Sequence, residues 1–132
     1  IENLDPARID FQQLELADLY SEVGQFYGGQ LVGQYNNVFD NNQVFYYNTM
    51  GGDGGEETWS LKMRDQIHRI SERTDNFRYF IAPGDVHCIL PSQDFFTVES
   101  QGVRLIDWLE ELVGDTPPQS IACEGCEPAA LP

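Results

Sequence analysis

Positive charge is what this chain has least of. Seven Lys and Arg face 22 Asp and Glu for a formal net charge of −15, and Lys62 is the only lysine. A surface of that sign repels a phosphate backbone, so nucleic acid is excluded as a partner. The acidity serves solubility, as it would outside the cell or in a salty medium. Long apolar runs are missing too. None approaches the roughly 20 residues that span a bilayer, and no signal-peptide pattern is visible, so no membrane span is expected. The glycine-rich stretch Gly51 to Gly55 lacks the Gly-Lys-Ser/Thr ending of a phosphate-binding loop and carries Asp53, so it reads as a connector. Metal ligands are scarce: the histidines are His68 and His87, the cysteines Cys88, Cys123 and Cys126. Their spacing does not make the paired ligand sets of a zinc site, and neither metal nor cofactor is expected.

Cys123 and Cys126 form a C-x-x-C among Pro117, Pro118 and Pro128. A thioredoxin-like motif opens a helix after a strand, and this context does not offer one. Two readings stand: a short-range disulfide or a pair of free thiols. A disulfide favours an extracytoplasmic location, extracellular or periplasmic.

The remaining pattern is one of alternating elements, in a chain of 132 residues that allows one domain with a core. Ile1 to Asp10 has no clear period. Phe11 to Phe26 reads as a helix with an apolar stripe of Leu14, Leu16, Leu19, Val23 and Phe26, stopped by Gly28-Gly29. Gln30 to Tyr35 reads as a short strand broken by Asn36-Asn37. Val38 to Met50 reads as a helix with Val38 or Phe39, Val44, Phe45 and Tyr47 available for burial.

Glu56 to Arg73 is the clearest helix. Acids open it, Arg69 and Arg73 close it, and Trp59, Met63, Ile67 and Ile70 form its buried stripe. His68 lies off that stripe, on the surface. Phe77 to Ala82 reads as a strand ended by Pro83-Gly84. Phe95 to Val98 is a short apolar piece able to pack under the loop that carries His87. Gly102 to Val113 reads as the last helix, with Leu105, Ile106, Trp108, Leu109, Leu112 and Val113 inward and Gly114 as its cap. The tail, about 115–132, is Pro-rich and irregular. The expected class is α/β: one partial domain over 1–132, part of a parallel sheet flanked by helices.

Two residues stand where such sheets carry chemistry, after the carboxyl ends of parallel strands. Asp40 comes after the first strand by a short turn, and His87 comes after Phe77 to Ala82 through Pro83-Gly84-Asp85-Val86. A serine hydroxyl becomes a useful nucleophile when an imidazole takes its proton, and the imidazole needs a carboxylate on its other nitrogen. The chain order acid then histidine, with the histidine loop leading into the last helix, is that of α/β-hydrolases. Asn37, Asn41 and Gln43 are candidate partners for the carboxylate. Each residue also has a structural reading. Asp40 suits a helix N-cap, and His87 suits a loop histidine bonded to backbone.

At these residues the chain resembles the pectin-acetylesterase-like hydrolases, which include the Notum-type carboxylesterases. Tyr35-Asn36-Asn37-Val38-Phe39-Asp40-Asn41-Asn42-Gln43 is similar to the segment around their catalytic acid. Asn76 through Leu90 is similar to the strand and catalytic-histidine loop of the bacterial branch. Phe95-Phe96-Thr97, Gly102 to Leu109 and Cys123-Glu124-Gly125-Cys126 are similar to the segments that come after that loop in the same branch. The resemblance covers about Leu19 to Cys126 and implies an α/β-hydrolase-like sheet, with Asp40 as triad acid and His87 as triad base.

It does not supply the serine. In that family the nucleophile sits upstream in a Gly-x-Ser-x-Gly-type elbow, and Ser21, Ser60, Ser71, Ser92, Ser100 and Ser120 all lack that context. The expected function is therefore the C-terminal portion of a serine carboxylic-ester hydrolase. Its partners would be an upstream segment or chain bearing the serine, and an ester substrate such as an acetylated polysaccharide. The alternative is a non-catalytic structural or interaction module derived from an esterase, for example in an extracellular assembly.

Overall fold

The computed structural model describes residues 12–126. The expectations for Ile1 to Asp10, Phe11 and Pro128 lie outside them. The order is α1 (Leu16–Phe26), β1 (Val32–Asn37), α2 (Asn41–Thr49), α3 (Gly55–Arg73), β2 (Phe77–Ala82), a short 3₁₀ helix (Gln93–Phe96), β3 (Glu99–Ser100), β4 (Val103–Arg104) and α4 (Leu105–Val113). The class is α/β. Strands β1 and β2 run parallel, in a register from Val32 opposite Phe77 to Asn37 opposite Ala82.

Strand β2 lies at the centre of the packing, and its sequence explains why. Phe-Arg-Tyr-Phe-Ile-Ala is apolar on both faces, as a strand covered on both sides must be. Phe77, Tyr79 and Ile81 point one way, into a cluster with Ala17, Trp59, Met63, Ile67 and Ile70 from α1 and α3. Phe80 and Ala82 point the other way, against Leu105 and Trp108 of α4 and against Ile89. Helix α3 buries the stripe its sequence predicts.

Helix α1 differs from its expected orientation. It buries the small residues Ala17, Ser21 and Gly24, while Leu16, Val23 and Phe26 are exposed. Close approach is the reason. A Cβ on Gly24 would meet Thr74 Cγ2 at 2.3 Å, so only a side-chain-free position fits there. The contact with α3 is polar at its rim: Arg73 reaches Asp18 at 2.7 Å, Arg69 pairs with Glu15, and Ala17 N–H donates to Gln66 Oε1 at 3.0 Å.

Other elements also depart from the sequence reading. Asn36 and Asn37 continue β1 rather than break it, because their amides find partners there: Asn36 Oδ1 accepts from Gln34 Nε2 at 2.7 Å, and the Asn37 amide bonds Tyr35 OH and Val86 O. The segment expected to open the last helix forms a β3–β4 hairpin whose turn, Gln101-Gly102, has positive φ at both residues (53° and 77°), the signature of a type I′ turn. Helix α4 begins only at Leu105. Its terminal Val113 is exposed, and Gly114 ends it in extended rather than left-handed conformation.

The described part of the tail, up to Cys126, has neither helix nor strand but is tightly held. Ile121 bridges parallel to Phe80, with Ile81 N–H donating to Ile121 O and Ile121 N–H to Tyr79 O, both at 2.8 Å. Trp108 Nε1 donates to Gln119 O at 2.8 Å, Arg78 Nε to Pro118 O at 3.0 Å and Arg64 Nη1 to Ala122 O at 2.7 Å. Cys123 and Cys126 are joined in a disulfide. The tail thus covers the outer edge of β2. Among the described residues no strand pairs with the outer edge of β1.

Phe80 is fully buried between Trp108, in an edge-on contact at 5.7 Å, and Tyr35, stacked at 6.1 Å. Phe80→Ala is expected to cost about 3–5 kcal/mol in urea unfolding. A loss well below that would mean the two helical layers are not joined through this strand.

Candidate functional site

The site is built on the carboxyl ends of β1 and β2, and the backbone keeps these two ends together after the strands stop. Val38 N–H donates to Ala82 O at 2.9 Å, Phe39 N–H to Gly84 O at 3.0 Å and Asn41 N–H to Asp85 O at 3.0 Å. The turn that carries Asp40 and the loop that carries His87 are therefore laced to each other. This lacing delays α2, which starts at Asn41 rather than at Val38.

Asp40 and His87, 47 residues apart in sequence, are in direct contact. Imidazole Nδ1 lies 2.9 Å from Asp40 Oδ2 and 3.0 Å from Oδ1. A carboxylate only accepts, so Nδ1 bears the proton and the lone pair of the neutral ring is on Nε2. That is the tautomer a general base requires. The Asp40 side chain is 6% exposed, and that of His87 is 37% exposed.

Asp40 meets the imidazole and also fills the capping role of its structural reading. It is the N-cap of α2: its Oδ1 accepts from Asn42 N–H at 3.1 Å and Gln43 N–H at 2.9 Å, and Gln43 Nε2 donates to Oδ2 at 3.2 Å. The helix N-terminus and the imidazole thus share one carboxylate, and the positive end of the helix dipole faces its charge. His87 is held by a side chain, not by the backbone bond of its structural alternative.

The three candidate partners of the carboxylate have different roles. Gln43 contacts Asp40 through backbone and side chain. Asn41 contributes only its backbone N–H, to Asp85 O. Asn37 does not touch Asp40; its Nδ2 donates to Val86 O at 2.5 Å, and its Oδ1 accepts from Tyr35 OH at 3.2 Å. Asn42, which also caps through its N–H, and Tyr35 were not singled out by the sequence. The Asx-cap pattern of an acid leading into polar residues is the signal for Asn42. No sequence signal points to Tyr35, which reaches the site across the sheet face.

Beside the pair lies a cavity of about 380 Å³, walled mainly by apolar side chains, among them Trp108, Leu109 and Leu112 of α4 and Ile89, Leu90 and Phe95. No serine or threonine is among its described lining residues; Cys88 is. Cys88 is a free, exposed thiol with φ of 57°, directly after His87. His68 stands on the surface with Glu72 at 3.3 Å, away from this site.

Comparison with family models, curated proteins and solved structures gives no match to the chain.

Burial pushes the Tyr35 phenol up to about 12, and the charges of Asp40 and Asp94 add to the shift. The native state therefore holds this proton more tightly than the unfolded chain does. The resulting stability is complete below pH 10.0 and is lost as pH rises through about 12. The urea midpoint of the protein should fall across that interval relative to Tyr35→Phe, which lacks the phenol. Parallel pH profiles for the two proteins would refute the burial.

Proposed function

We propose that the chain is the C-terminal portion of a serine carboxylic-ester hydrolase, with Asp40 as triad acid and His87 as triad base. The contact of Nδ1 with the buried carboxylate at 2.9 Å is the observation that carries this reading. Asp40 fixes the tautomer and stabilises the imidazolium when it forms. Nε2 then takes the proton of a serine hydroxyl as its oxygen attacks the ester carbonyl. The same nitrogen returns that proton to the leaving alcohol, and the acyl-enzyme is hydrolysed by water activated in the same way.

The serine comes from an upstream segment or chain. Among the described residues no strand pairs with the outer edge of β1, which supports this, because parallel sheets rarely stand as two strands. The resemblance to pectin-acetylesterase-like hydrolases favours an acetyl ester, for example on a polysaccharide. The disulfide supports an extracellular or periplasmic location. No helix among the described residues is long and apolar enough to cross a membrane.

A second reading is a non-catalytic interaction module derived from an esterase. The cavity favours it in one respect: no serine or threonine is among its described lining residues.

Labelling of the full-length protein with a serine-directed fluorophosphonate separates the two. The esterase reading expects one adduct, on a serine upstream of Ile1. Turnover of an aryl acetate should be abolished by His87→Ala and reduced about 10⁴-fold by Asp40→Asn. Absence of an adduct would sink the esterase reading. An adduct with unchanged rates in both variants would mean a different acid and base.

A further inference from the structure

Between Pro83 and Cys88 the chain has no regular structure, and it turns twice through positive φ, at Gly84 (102°) and Cys88 (57°). Such a loop has no ladder of its own to fix the peptide that carries His87. Its three consecutive carbonyls, Gly84, Asp85 and Val86, are nevertheless all bonded to the acid-bearing segment. Phe39 N–H takes the first and Asn41 N–H the second, and the third is taken by the side chain of Asn37. The last restraint before His87 is therefore a side-chain amide.

That amide has one possible orientation. Val86 O only accepts, so the nitrogen of Asn37 must face it, at 2.5 Å. The amide oxygen then faces Tyr35 OH, which donates at 3.2 Å. Asn37 is 3% exposed. Tyr35 in turn is fixed by stacking on Phe80, the most deeply packed aromatic of β2. The chain of contacts runs from the core through Tyr35 and Asn37 to Val86 O, one peptide from the imidazole. A buried amide with both ends bonded specifies one geometry and is costly to displace.

We propose that Asn37, oriented by Tyr35, is the positioning residue of the pair: it sets the peptide before His87 so that Nδ1 meets Asp40. The role of the pair in ester cleavage rests on the function proposed above; the positioning itself does not. Asn37 has no hydrogen bond to the carboxylate or the imidazole; its amide is bonded to Tyr35 OH and to the backbone of the histidine loop, and it acts on the pair through that backbone.

The test reads the imidazole directly, by NMR of the isotope-labelled chain, without a serine or an ester. The unsubstituted protein should show a downfield, slowly exchanging Nδ1–H of His87, with Nε2 unprotonated in the neutral ring. In Asn37→Ala that proton should exchange about tenfold faster, the size expected when one net hydrogen bond of the support is lost. The neutral ring should also move toward the Nε2–H tautomer that an unrestrained histidine side chain prefers. The backbone spectrum and the signals of exposed His68 should stay as they were.

Tyr35→Phe keeps the ring on Phe80 and removes only the hydroxyl, so it should shift the same signals in the same direction by less. If Asn37→Ala does not give a folded spectrum, Tyr35→Phe decides. Unchanged Nδ1–H exchange and tautomer in the folded variants would overturn the proposal, as would a His87 ring without that proton in the unsubstituted protein. Failure of fluorophosphonate labelling would leave it standing.

Discussion

One carboxylate organises this end of the molecule. Asp40 accepts from two backbone N–H groups of α2, from the Gln43 amide and from the His87 ring. A buried carboxylate without such donors would be strongly destabilising, so each donor is a condition for the others. Because Asp40 caps α2, the helix cannot start earlier. The residues before it, Val38 and Phe39, remain extended and lace onto the strand and loop after β2. That lacing brings the histidine loop to the acid. Local capping and long-range pairing are thus two consequences of the same side chain.

The sheet shows how unevenly the fold is closed. Strand β2 is covered on both faces and along its outer edge, where Ile121 bridges to Phe80 and the disulfide-bound tail is pinned by Arg64, Arg78 and Trp108. Strand β1 has β2 on one edge and nothing described on the other. Edges of this kind are normally blunted or paired. The exposed apolar residues Leu16, Val23 and Phe26 of α1 and Phe45 of α2 add to the open character of the molecule. The pair of Asp40 and His87 stands between the well-covered strand and the open one.

The sequence was most legible where physics leaves one solution. Phe77 to Ala82 is apolar on both faces and must be a covered strand, and its bounds match. The stripe of α3 is equally plain. Asp40 and His87 could be named because strand ends in parallel sheets collect functional groups. What could not be read depends on distance between elements. Whether α1 turns in its leucines or its small residues is decided by how closely it meets Thr74. Asn36-Asn37 looks like a break until the partners of its amides are known. The target of Asn37 is a carbonyl 49 residues away, and the turn at Gln101-Gly102 is hidden by a periodicity that runs on into α4.

The arrangement also bears on why a carboxylate is kept at this position at all. An N-cap needs one acceptor oxygen, and Asn or Ser caps a helix about as well as Asp does. Capping alone therefore does not account for a buried acid whose second oxygen is given to an imidazole and a glutamine amide. Nor does stability, since replacing a buried ionic contact by apolar groups is often neutral or stabilising. What an acid provides beyond an amide is an acceptor-only partner for Nδ1, which forces the ring to present a basic Nε2. An asparagine offers a donor as well as an acceptor and would leave the tautomer open. The chemistry that needs a fixed tautomer is proton transfer, so Asp at position 40 suits the base proposed at His87.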